Sequence, residues 1–272
     1  MRSIVLFAVL VAGSSDFSQT LSEPQANTES RPFDVAQSRP EPVEGRSPSP
    51  DRALRVLFIG NSLTSFNNLP KMVETIAEAG GKVRIRPESV TVNNFSLEDH
   101  WNGGPARQAI RRGPWDWVIL QQGPSSQPDS QVLLREYTER FDSVIRKVNA
   151  KTALYMVWPS RARYPDMAGV ITSYTNAAKS VDGTLLPAGL AWHMVLQREP
   201  DLPLYGEDQF HPSTLGSFLA ALVIYEGLTG EPTGSLRPAV RDRALTESRL
   251  HLLTDIAHQA VTAKTTPGKD EE

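Results

Sequence analysis

The sequence predicts an α/β protein, one domain built as a three-layer α/β/α sandwich around a mostly parallel central sheet. Two observations lead there. From Ala53 onward, apolar runs of strand length alternate with stretches of helix length. That alternation makes parallel βαβ units and a sheet covered on both faces. No internal repeat interrupts it, so the pattern belongs to a single domain.

The elements follow in order. LRVLFIG (54–60) is a first strand that runs straight into Gly60-Asn61-Ser62. Pro70 suits the first turn of a helix carrying Met72, Val73, Ile76 and Ala77, stopped by Gly80-Gly81. KVRIRPESVTV is a second strand region, PARQAIRRG a short helix ended by Gly113, and WDWVILQ a third strand. SQVLLREYTERFDSVIRKVNA is a long amphipathic helix with Leu133, Leu134, Tyr137, Phe141, Val144, Ile145 and Val148 on one stripe. TALYMVW is a fourth strand and TLLPAG a fifth. After Pro212 an apolar helix ends on a glycine, and the helix around ESRLHLLTDIAHQAVTAK packs outside it. In open sheets of this kind, sites form at the carboxyl ends of strands, where Gly60-Asn61-Ser62 lies.

A second informative stretch is YGEDQFHPS, Tyr205 to Ser213. It places Asp208 and His211 three residues apart in a loop bounded by glycine and proline. A carboxylate there can accept from one imidazole nitrogen while the other turns toward a nucleophile. Ser62 has two readings, an N-cap for the helix that follows or the nucleophile such an imidazole would activate.

IGNSLT and DQFHPS, in this order and on this pattern, resemble the first and last blocks of the SGNH/GDSL hydrolase superfamily. The resemblance covers roughly residues 54–230. It implies Ser62 as nucleophile, His211 as general base and then acid, and Asp208 as the carboxylate orienting His211. It also implies an oxyanion hole of three donors: the serine amide, a glycine amide and an asparagine side chain. Here VNNFSLEDHW puts Asn94 in the place of the glycine, and asparagine is among the residues that tolerate a left-handed backbone best. The third block has no asparagine; the chain reads VILQQGPSSQ and resembles a branch whose third strand ends in Leu-Gln. Gln121 or Gln122 then supplies the amide, and strand alternation lets only one of them face the site; Gln122 is nearer the loop.

Further candidates for the substrate pocket are Asn61, His100, Trp158 and Tyr164, the two aromatic residues as a stacking subsite for a sugar. Arg161 and Arg163, in the loop PSRARYPDM, could meet an acidic substrate. His193, His251 and His258 lie on helix patterns and read as structural or solvated.

The amino terminus has Arg2 before an apolar run from Ile4 to Ala12 and then small residues, the form of a secretory signal too short to anchor stably in a bilayer. Residues 1–19 are expected to be that signal, and residues 20–52, rich in proline, serine and charge, a disordered linker. The hydrolase-like domain is expected over 53–264, with a frayed tail at 265–272. With 28 basic against 31 acidic residues there is no single-sign field for nucleic acid, and without cysteine there are no disulfides or thiolate metal sites. Neither metal nor cofactor is expected. The expected function is a periplasmic or secreted serine esterase acting on a small-molecule or glycan ester, with acetyl the expected acyl group. The alternatives are a non-catalytic carbohydrate-binding protein on the same scaffold and an O-acyltransferase using the same triad.

Overall fold

A computed structural model describes residues 53–236 and 245–263. The expected signal, linker and tail lie outside these residues. Among the described residues the sheet has five strands: β1 (Ala53–Gly60), β2 (Arg84–Thr91), β3 (Trp117–Leu120), β4 (Lys151–Tyr155) and β5 (Thr184–Leu186). They lie in the order β2-β1-β3-β4-β5, and every neighbouring pair is parallel. This is the α/β sandwich that the alternation predicts. Its central strands are buried on both faces: all four residues of β3, and Val56 to Gly60 of β1. Burial falls toward β2, an edge strand, where Pro87 can lack a ladder donor without leaving a gap inside the sheet.

The helices are α1 (Ser62–Ser65), α2 (Leu69–Gly80), α3 (Leu97–Gly103), α4 (Pro105–Arg111), α5 (Pro128–Ile145), α6 (Met167–Ser180), α7 (Ala188–Arg198), α8 (Thr214–Thr229) and α9 (Glu247–Thr262). One packed group joins α2, α7, α8 and α9; another joins α3, α4, α5 and α6. Almost every residue of α8 is buried, because it lies between α2, α7 and α9. Gly81, at φ +66, ends α2 in a left-handed cap, as Gly80-Gly81 predicts. The expectations miss in several places. The fourth strand stops at Tyr155, not Trp158; α3 and α6 have no counterpart among the expected elements, and α7 only the helix pattern around His193. The glycine, serines and threonines of MAGVITSYTNAAKS dilute the apolar stripe that marks a helix.

Chain order reverses between β1 and β3, which are neighbours although β2 separates them in sequence. The carboxyl ends of such a pair border a crevice. β1 delivers Asn61 and Ser62 to it, and β3 delivers Gln121 and Gln122.

Candidate active site

Ser62 is the first residue of α1, immediately beyond the end of β1. Asn61 caps that helix, its Oδ1 accepting from Leu63 N at 3.1 Å. The cap is held from below by Gln121, which has no exposed surface. Gln121 Oε1 accepts from Asn61 N at 2.9 Å and from Thr64 Oγ1 at 2.7 Å, while its Nε2 donates to Asn61 Oδ1 at 3.0 Å. The glycine before the turn is required by this packing. A Cβ on Gly60 would lie 2.4 Å from Gln121 Oε1 and 2.5 Å from Thr64 Oγ1. Ser62 is therefore both the start of a helix and a hydroxyl presented at the sheet edge.

His211 arrives on the loop between α7 and α8. Gly206 N donates to His211 O at 2.7 Å, and Tyr205 bridges Pro212 antiparallel, so the loop closes on itself. Gln209 takes φ +58 at its tip. Asp208 Oδ1 accepts from the backbone N–H groups of Phe210 and His211 at 3.0 and 2.9 Å, and its Oδ2 accepts from His211 Nδ1 at 2.5 Å. With Nδ1 donating to Asp208, Nε2 is an acceptor, and it lies 2.8 Å from Ser62 Oγ across 149 positions of sequence. The His211 hydrogen bond, followed by that from Phe210 N, holds the Asp208 carboxyl down at about 2. The Asp208 carboxylate on Nδ1 fixes the Nδ1–H tautomer that a base at Nε2 requires.

Ser62 opens into a cavity of about 710 Å³, of the size that small-molecule sites occupy. Asn94 lies in its wall at φ +63, a left-handed backbone taken by asparagine where glycine would be easier. Among the described residues neither the Ser62 N–H nor the Asn94 N–H has a hydrogen-bond partner. Both residues line the cavity, and amide donors in such a wall can receive an oxyanion.

The sequence matches no protein-family profile and no curated protein. Solved structures do match. A DUF4886 family protein from Bacteroides uniformis is 18% identical at a TM-score of 0.66, over 77% of this chain and 95% of that one. A candidate SGNH hydrolase from Slackia heliotrinireducens is 26% identical at 0.54, over 65% and 100%. The lipase/acylhydrolase from Enterococcus faecalis is 14% identical at 0.53, over 69% and 100%. The chain has the SGNH/GDSL hydrolase fold.

Within this SGNH/GDSL fold, several expected site residues are engaged elsewhere. Gln121 is not an oxyanion donor, because its amide is consumed in bracing the Ser62 turn and in donating to Gln122 O. Gln122 does stand in the cavity wall, but its Nε2 donates to Ser125 Oγ at 2.8 Å and Ser130 O at 3.4 Å, and its Oε1 accepts from Leu97 N. Asn61 borders the cavity with its amide committed: Nδ2 donates to Phe95 O at 3.0 Å, tying the Asn94 segment to the Ser62 turn. His100 is buried outside the cavity, with Nε2 2.8 Å from Gly60 O. Burial pushes its imidazole down against the opposing pull of that carbonyl, so it is a neutral donor bracing β1, not a pocket wall.

The proposed sugar platform is corrected too. Trp158 has no exposed surface and stacks on Trp192 at 3.5 Å, donating from Nε1 to Phe210 O at 3.2 Å. It supports the histidine loop from the core. Tyr164 shares a 2.8 Å hydrogen bond with His193 Nδ1 and borders a separate hollow of about 250 Å³, together with Arg161. Arg163 does reach the main cavity, where it pairs with Asp166. His258 pairs with buried Glu226.

Five contributors escape the sequence reading. Thr64 anchors the Ser62 turn to Gln121. Ser125, Ser126 and Ser130 line the cavity, and the serine-rich loop PSSQPDS after a strand end was the available signal. Phe66 stacks on His211, which no local pattern announces.

Proposed function

We propose that this protein is a serine ester hydrolase that works through an acyl-enzyme intermediate. The observation that carries the proposal is the 2.8 Å contact between Ser62 Oγ and His211 Nε2, with Asp208 on the opposite ring nitrogen and Ser62 in the wall of the cavity. A serine hydroxyl attacks an ester carbonyl only when its proton is removed as the bond forms, and His211 is placed to take it. The developing oxyanion points toward the Ser62 and Asn94 amides. His211 then returns the proton to the leaving alcohol, which departs and leaves an acyl-serine. Water, deprotonated by the same imidazole, attacks that ester; the acid is released and Ser62 recovers its proton. The Enterococcus faecalis protein of the same fold is a lipase/acylhydrolase, which supports ester chemistry by analogy of fold.

The substrate we propose is a short acyl ester, acetyl first, on a carbohydrate. Support comes from analogy of fold and from polar groups in the cavity wall, among them Ser126, Gln127 and Ser160; most of that wall is apolar, with Phe95, Leu133 and Phe210, and suits the acyl half. Export to the periplasm or medium is proposed on the amino-terminal pattern alone. The test is Ser62→Ala with p-nitrophenyl acetate. Hydrolysis should fall to background while the circular dichroism spectrum is unchanged; retained turnover would remove Ser62 from the chemistry.

A further inference from the structure

Phe66 is a large apolar side chain with 41% of its surface exposed, four residues after the nucleophile. Its inner face is not idle. The Phe66 ring lies against His211 with centroids 4.3 Å apart and planes 15° from parallel. Phe210 meets the same imidazole edge-on at 5.1 Å. After Phe66 the chain takes two successive left-handed asparagines, Asn67 at φ 52 and Asn68 at φ 51, before α2 begins. Asn67 Nδ2 donates to Pro212 O at 3.0 Å and to Ser217 Oγ at 2.9 Å. The five residues from Ser62 to Phe66, with Asn67 beyond, thus span the reacting pair. One end carries the nucleophile, and the other is tied to the carbonyl next to the base and to α8.

The catalytic imidazole needs this support. Asp208, which holds the ring through Nδ1, has half its surface in water. A carboxylate contact at one nitrogen leaves the ring free to swing about the line to Asp208, and such a swing carries Nε2 off Ser62 Oγ. A flat ring stacked on one face blocks it. We propose that Phe66, fixed by the Asn67 strap, is a positioning residue that holds the His211 ring in the plane containing both Ser62 Oγ and Asp208 Oδ2. It rests on the ester-hydrolase reading above, and acts on the chemical step, since Phe66 does not line the cavity where substrate enters.

The test compares Phe66→Leu with Phe66→Tyr on p-nitrophenyl acetate. Leucine keeps apolar bulk without a stacking face, and tyrosine restores the face. Phe66→Leu should lower kcat about three- to tenfold, the range expected of one aromatic contact, with KM unchanged. Phe66→Tyr should return kcat to within about twofold of native. Native kcat in Phe66→Leu, equal losses in both variants, or a change confined to KM would each overturn the proposal. Should the native protein turn over no ester, the hydrolase reading fails separately. The clamp is then judged by the nitrogen-15 shift of His211 Nε2, which reports whether it accepts from Ser62 Oγ: a native-like shift in Phe66→Tyr, but in Phe66→Leu a shift toward that of Ser62→Ala, supports it. An Nε2 shift unchanged in both variants overturns it.

Discussion

The Ser62 turn and the His211 loop face each other across 2.8 Å, yet they are held differently. Around Ser62 the bracing groups are buried and distant in sequence: Gln121 reaches Asn61 and Thr64 from another strand. Around His211 the bracing is mostly local, with Asp208 binding the backbone of residues two and three positions on while half in water. Long-range contacts reach the loop as well, among them Trp158 at Phe210 O, Arg161 at Gln209 O, Asn67 at Pro212 O and Phe66 at the imidazole face. The difference teaches that one half of the pair is part of the fold and the other is mounted on it. Stability and catalysis should therefore separate between the two regions.

The largest effect should come from the mounted half. Asp208→Asn keeps the oxygen that accepts the two backbone N–H groups, but turns an N–H toward His211 Nδ1 and so favours the wrong tautomer. kcat should fall by roughly 10²- to 10⁴-fold, with only a slight change in the urea midpoint. A large fall in the midpoint would show that the loop is integral to folding and erase the contrast. Next is the buried half. Gln121→Leu strands Asn61 N–H and Thr64 Oγ1 below the turn, and should lower the unfolding free energy by about 2–4 kcal/mol. A loss below about 1 kcal/mol would mean that water or a shifted side chain replaces the amide. The smallest effect concerns acid. The Asp208 carboxyl lies below its unfolded value of 3.8, at about 2, so its contribution is present above 3.8 and disappears as pH falls toward 2. Water screens so exposed a group, and we expect about 1 kcal/mol or less. Native protein and Asp208→Asn should differ slightly in urea stability at about pH 5 and converge near pH 2. A difference that persists at the acid end would give the carboxylate no part in it.

The positions that sequence made legible share a property. Ser62 follows an apolar run into a glycine, and Asp208 and His211 sit three apart between glycine and proline; in both cases residue type and local geometry travel together. The left-handed Asn94 was legible for the same reason, because the backbone preference belongs to the residue. Gln121 and Gln122 were not. Both leave the end of β3, and which amide is free depends on whether Asn61, Thr64, Ser125 and Ser130 are waiting for them. Trp158 as a sugar platform failed likewise: an aromatic at a strand end looks the same whether the next layer is solvent or Trp192.

By itself, then, the sequence determined a parallel α/β sheet and the chemical types able to act at its edge, since hydrophobic period and turn residues are local quantities. Only the folded chain decided who donates to whom. Hydrogen bonds and ring contacts such as Phe66 on His211 require two surfaces brought within about 3 to 5 Å, and that proximity is a property of packing between segments, which no single segment encodes.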